Sequence, residues 1–97
     1  MMKVFSITLL VLASGHAVSA APPAPGLRLY RQNCARCHGQ DGRLGANGAH
    51  DLTKSNLNAM GRTYMVVNGM GKMPAFGKEL TPAEIQQVVD YSLTLKK

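Results

Sequence analysis

From residue 26 onward the apolar positions follow a helical period, and no stretch alternates apolar and polar residues as a strand would. Leu27, Tyr30, Cys34 and Cys37 recur at i, i+3, i+7 and i+10, which predicts a first helix with both thiols aimed the same way. Residues 39–48 hold four glycines with Asp41 and Asn47 and no sustained apolar period, so they read as loop. A helical pattern resumes over 55–68, with a break expected near 58–61, and Gly69 stands where a left-handed cap ends a helix. Gly69, Gly71, Pro74 and Gly77 make 68–78 irregular. Thr81-Pro82-Ala83-Glu84 is a capping box with proline at the first helical position, and the helix it starts should run to about Leu95. Ile85, Val88, Val89, Ser92 and Leu95 form its inward stripe, Tyr91 lies at the margin, and Lys96 and Lys97 suit the negative end of the helix dipole. The expected architecture is all-α, without internal repeats.

The segment before residue 26 has another character. Residues 1–3 are a short basic start, 4–13 an apolar run, and Val18-Ser19-Ala20 supplies the small residues a signal peptidase requires. The expectation is a cleaved signal peptide over 1–20, cut between Ala20 and Ala21, then a proline-rich lead over 21–25 and one domain over 26–97. The competing reading is a membrane anchor, but a spanning helix needs about 20 apolar residues, and Ser14, Gly15 and His16 interrupt this run at roughly half that length. No cysteine sits at the cleavage point to accept a lipid.

Removing residues 1–20 from 97 leaves 77, a size at which a core seldom suffices without a disulfide, metal or cofactor. Tryptophan is absent, and the processed chain has only Tyr30, Tyr64, Tyr91 and Phe76 as aromatics, so a large planar cofactor would supply what the side chains lack. The formal charge is +6, or +5 after Lys3 is lost, but no basic run or basic-aromatic stripe is present. That pattern argues against nucleic acid as a partner and fits either a solvated surface or steering toward an acidic protein.

Cys34-Ala35-Arg36-Cys37-His38 carries the chemistry. C-x-x-C-H is the pattern of covalent haem attachment. Two residues between the thiols let them reach the two vinyl groups of one porphyrin, and the adjacent histidine can give a nitrogen to iron. Three other readings use the same residues. A thioredoxin-like dithiol needs a βαβ framework that the pattern does not offer; a structural zinc site would need His50 or a carboxylate as fourth ligand; and a plain disulfide here closes too small a loop to stabilise much. For the second axial ligand, Met73 stands in a glycine-rich loop, where Pro74 forces an extended backbone on it. Met70 is the competitor but lacks a following proline, whereas Met60 and Met65 fall at helical spacing and read as core fillers. His50, between Ala49 and Asp51 in a polar loop, reads as an exposed histidine without a role.

Together, Cys34 to His38, the Met73-Pro74 loop and the capped final helix resemble class I cytochromes c, and residues 64–80 are similar to the cytochrome c6 group and to short bacterial mono-haem cytochromes. The resemblance spans nearly all of 26–95. It implies a cytochrome c fold of three to five helices around one covalent haem c, attached at Cys34 and Cys37, with iron bound by His38 and Met73. It further implies a close crossing of the first and last helices at Gly26, with Tyr30 packed against Val88 and Tyr91, and names Lys54, Arg62 and Tyr64 as partners for a haem propionate. The chain departs from the family in having no proline in 39–50, where one often supplies the carbonyl that orients the proximal histidine. The acceptor for the second nitrogen of His38 is therefore open.

Iron held on both sides has no free position, so the expected function is not enzymatic. It is that of a soluble, monomeric, periplasmic electron carrier without a membrane anchor. Its partners would be redox proteins with an acidic docking face, met through Arg36, Lys72 and Lys78. The alternatives are a haem enzyme or ligand-binding sensor with a displaceable methionine, and a dedicated cytochrome subunit of a dehydrogenase complex.

Overall fold

A computed structural model describes residues 2–4 and 24–97. Apart from residues 2–4, the predicted signal peptide lies outside the described residues, as does most of the proline-rich lead. Within them the chain forms four α-helices and one 3-10 turn: α1 (Leu27–Asn33), α2 (Ala35–His38), the turn at Ala46–Gly48, α3 (Ala59–Asn68) and α4 (Pro82–Thr94). The one β-type pairing among them is an isolated bridge between Met70 and Met73. No helix among the described residues is long and apolar enough to cross a membrane.

Helix α4 is the spine against which α1 and α3 pack. Its start is fixed as the sequence predicts: Glu84 N donates to Thr81 Oγ1 at 3.2 Å, and Thr81 N to Glu84 Oε1 at 2.9 Å, with Pro82 in the first turn. Ile85, Val88, Val89 and Ser92 are buried from it, and they meet Leu29 and Tyr30 of α1 and Val66 of α3. At the far end Lys97 N donates to Thr53 O at 2.9 Å, which ties the terminus to a buried threonine.

The approach of α1 to α4 is set by Gly26, the N-cap of α1, at φ +85. A Cβ there would overlap the carbonyl oxygen of Gln87 and sit 2.6 Å from its carbonyl carbon, so only glycine lets these helices approach so closely. Tyr30, one turn on, is fully buried, with its ring centroid 5.1 Å from that of Tyr91. The close crossing and its aromatic packing therefore stand as the resemblance implies.

Three local expectations are corrected. The first helix is not continuous: Cys34, at φ −117 and ψ −36, ends α1 and caps α2, so one thiol sits at the bend between two short helices and the other, Cys37, on the second. The third helix starts at Ala59 rather than at 55, because Asn58 takes an extended conformation and its side chain accepts from Gly61 N at 2.9 Å. Gly69 has the expected positive φ of 68, but with ψ 174 it leaves the helix extended and not in the left-handed cap conformation. Its Cβ position is filled by the backbone of residues 73–75, which fold back against α3.

Candidate functional site

A cavity of about 390 Å³ lies between these elements, in the size range of small-molecule and cofactor sites. Cys34, Cys37 and His38 line one side, Met65 and Val66 of α3 and Val88 of α4 line the apolar interior, and Met70 to Pro74 with Phe76 close another side. The four residues expected from sequence to hold the cofactor, Cys34, Cys37, His38 and Met73, therefore share one cavity.

The bend at Cys34 delivers the thiols. His38 N donates to Cys34 O at 2.9 Å and Gly39 N to Ala35 O at 2.7 Å, so α2 is a single locked turn that holds Cys34, Cys37 and His38 in register. Burial pushes the Cys34 thiol up to about 11, which keeps it protonated at neutral pH. Asn47, at φ 56, brings its side-chain amide to 3.9 Å from Cys37 Sγ.

The ring of His38 is oriented by the backbone. Its Nδ1 lies 3.0 Å from the carbonyl oxygen of His50, which makes Nδ1 the protonated donor and leaves Nε2 with a free lone pair. This fills the place left open by the missing proline. His50, expected to have no role, supplies through its main chain what no side-chain pattern announces, and the residue borders the cavity. The loop that carries it is anchored on both sides: Leu44 N donates to His38 O at 2.9 Å, and Leu52 N to Gly42 O at 2.9 Å. Asp51 next in the chain accepts from Thr53 N at 2.9 Å and from Thr53 Oγ1 at 2.6 Å, and these bonds hold its carboxyl below the usual range.

Met73 is half-buried and held by a tight reversal. Met70 N donates to Met73 O at 3.1 Å and Met73 N to Met70 O at 2.9 Å. Phe76 N then bonds to Val66 O at 2.8 Å and Gly77 N to Val67 O at 3.2 Å, stitching the loop to α3. Met70 also lines the cavity but is 61% exposed. Met60, expected in the core, is 80% exposed; Met65, its partner in that expectation, does reach the cavity wall.

The three proposed propionate partners separate. Tyr64 is 63% exposed and Lys54 is exposed, and neither lines the cavity; Arg62 is buried and does. Two thiols one turn apart, a histidine with its unprotonated nitrogen available, a thioether and an apolar interior form a donor set suited to a covalently attached iron porphyrin.

The family model described as cytochrome c oxidase, cbb3-type, subunit III matches residues 21–91. The chain belongs to this family of c-type cytochromes. This cytochrome is 39% identical over 74 residues to cytochrome c6 of Gloeothece citriformis, covering 70% of its own length and 66% of the relative's. It is 35% identical over 105 residues to cytochrome c6 of Rippkaea orientalis, with 96% and 93% covered, and 39% identical over 79 residues to that of Leptolyngbya boryana, with 75% and 92% covered. It thus spans about two thirds of the first relative and more than nine tenths of the other two. Its fold is similar to that of the KustC0563 c-type cytochrome, with a TM-score of 0.68 and 27% identity, over 74% of this chain and 98% of that one. The cytochrome c fold, a covalent haem c as cofactor and a role in electron transport rather than catalysis follow from that membership.

Proposed function

We propose that this cytochrome carries single electrons between redox proteins outside the cytoplasm. Its haem would be joined by thioethers to Cys34 and Cys37, with iron bound by His38 Nε2 and the sulfur of Met73. The observation that carries the reading is the His38 Nδ1 contact to His50 O, which leaves Nε2 as the one ring nitrogen able to bind metal, on a wall of the cavity that Met73 also lines. The bound group supplies the one-electron ferric/ferrous couple. The chain's residues set its conditions: Met73 offers a soft ligand that favours the ferrous state, and Val66, Val88 and Phe76 give an apolar surround that disfavours the extra charge of the ferric state. Leaving no position for a substrate, this ligand pair keeps the chemistry to electron transfer. Lys72 at the cavity rim, with Arg36 and Lys78, all exposed, gives a basic approach for an acidic partner. Export would follow from a signal peptide over 1–20.

The test is the absorption spectrum of the oxidised protein. A weak long-wavelength sulfur-to-iron band is expected in wild type and should be lost in Met73→Ala. A high-spin, five-coordinate wild-type spectrum with rapid carbon monoxide binding would refute the carrier reading. A second reading, a cytochrome held within a larger complex, is favoured by the oxidase-subunit description of the matching family. Gel filtration after native purification separates the two, since a free carrier elutes as a small monomer.

A further inference from the structure

The sequence contains two Asn-Gly pairs, Asn47-Gly48 and Asn68-Gly69. The backbone nitrogen that follows an asparagine can attack its side-chain carbonyl carbon, and glycine favours this because it has no side chain to obstruct the ring that forms. The structure separates the two pairs. Asn68 ends α3, and its Nδ2 donates to Tyr64 O at 2.9 Å. The nitrogen that would attack it, Gly69 N, donates to Met65 O at 2.8 Å, and the backbone of residues 73–75 packs against Gly69. Both reacting groups are held by the helix.

Asn47 has no such restraint. It is exposed, and it is the one described residue other than glycine with a positive φ, 56. Those dihedrals interrupt the three-residue turn at Ala46–Gly48, and beyond that turn Gly48 N makes no hydrogen bond among the described residues. Nothing lies within 4 Å of where a Cβ on Gly48 would stand, so the space beside the attacking residue is open. At ψ 29 the Gly48 nitrogen points away from the Asn47 side chain, so ring closure needs rotation about this one bond. The turn permits it, because none of its residues is buried and glycine flanks it at Gly45. The Asn47 amide nitrogen lies 3.9 Å from Cys37 Sγ, and among the described residues the cavity wall carries no aspartate or glutamate.

We propose that Asn47 is a self-modifying site that converts a neutral amide beside Cys37 into a carboxylate and thereby lowers the reduction potential of this cytochrome. Gly48 N forms a bond to Asn47 Cγ, the Cγ–Nδ2 bond breaks, and the side-chain nitrogen leaves as ammonia with the proton that the backbone amide gives up. Water then opens the succinimide. Cleavage at Cγ gives aspartate, and cleavage at the main-chain carbonyl gives isoaspartate. No electron is exchanged, and either product adds one negative charge, which favours ferric iron. The effect on potential rests on a haem attached at Cys37 as above, whereas the modification itself does not.

The test keeps haem-loaded protein in mildly alkaline buffer and follows it by cation exchange and tryptic mapping. Cleavage after Arg43, Lys54, Arg62 and Lys72 puts Asn47 and Asn68 on separate peptides, 44–54 and 63–72. Two hydrogen bonds must open before Asn68 reacts, each worth about fivefold in population, so modification of 44–54 should exceed that of 63–72 by at least about tenfold. Asn47→Gly suits the left-handed φ and removes the reacting side chain, so it should accumulate the more acidic species at least about tenfold more slowly than wild type. Equal modification of the two peptides, or an unmodified 44–54, overturns the site. The purified acidic form and Asn47→Asp should both show a midpoint potential below that of fresh protein, and an unchanged or raised potential in either overturns the effect on the cofactor. An intact mass without haem would instead refute the attachment at Cys37, while the peptide maps still decide the modification.

Discussion

Replacing Gly26 by alanine tests whether the contact between α1 and α4 is as close as the structure has it. The new Cβ overlaps Gln87 O and lies 2.6 Å from Gln87 C and 3.1 Å from Val88 N, all of them backbone atoms of a helix interior that cannot rotate aside. The α1 end must retreat, loosening the packing of Leu29 and Tyr30 on Ile85, Val88 and Val89, which form most of the core. Overpacking of this kind costs about 1–3 kcal/mol. The left-handed φ of +85 adds about 1–2 kcal/mol for any residue with a Cβ. Gly45→Ala is the control: its φ is +66, but the nearest atom to the new Cβ is 3.7 Å away, so it incurs the second cost alone. For a domain of this size 1 kcal/mol shifts the melting temperature by about 4–8 °C, so Gly26→Ala should melt about 5–20 °C below Gly45→Ala. The assay is thermal unfolding of both haem-loaded proteins by far-ultraviolet circular dichroism. Matching melting temperatures would refute the argument, since only the backbone overlap distinguishes the two sites.

Met70→Ala should keep the sulfur-to-iron band that Met73→Ala loses, because Met70 is largely exposed and Met73 is half-buried; the reverse result in the oxidised spectrum would exchange their roles. Tyr30→Phe leaves Gly39 O without its donor and should lower stability by about 1–2 kcal/mol in guanidinium melts. Burial and then the neighbouring Cys34 raise the Tyr30 pKa. The neutral phenol is therefore favoured in the folded state, and its contribution is full below the ordinary tyrosine range and lost as pH rises through the folded value. The alkaline limb of the stability curve should accordingly be shallower in Tyr30→Phe. Asp51 is depressed by its bonds to Thr53, so its contribution is present above the ordinary carboxylate range and lost as pH falls. Asp51→Asn should flatten the acid limb of the same curve.

The parts of this protein that were legible in its sequence are those whose cause is local. The capping box at residues 81–84 is complete within four residues, and its predicted start is the observed one. The inward stripe of α4 needs only the helical period, and Ile85, Val88, Val89 and Ser92 are buried as that period requires. The C-x-x-C-H run and the methionine loop suggest a ligand set by residue type and local sequence, and the structure lines one cavity with all four of those residues. The α1–α2 bend was hidden because the i, i+3, i+7, i+10 spacing is kept on both sides of Cys34, and a break in dihedral angle leaves no mark on such a pattern. The late start of α3 had a partial signal in Asn58. The stronger reason lies outside any local window: Arg62 donates to the carbonyls of Ser55 and Leu57 and holds that stretch out of the helix.

The acceptor for His38 shows why the remaining gap could not be closed from sequence. Any carbonyl can orient an imidazole, so the role places no demand on residue type, only on where the backbone passes. Here the path is set by Leu44 N bonding back to His38 O and Leu52 N to Gly42 O, which fold residues 44–52 across the histidine and present the His50 carbonyl to its Nδ1. Asp51 then fixes the next turn by capping Thr53, whose own carbonyl receives Lys97 N from the end of the chain. The orientation of the histidine is thereby linked through two loops to the C-terminal anchor of α4. Arg62 makes the complementary link from the opposite wall, joining the 55–57 stretch to Ser92. Both walls of the cavity thus lead to the same final helix, which explains how so small a domain can fix groups on either side of one site while burying few large side chains.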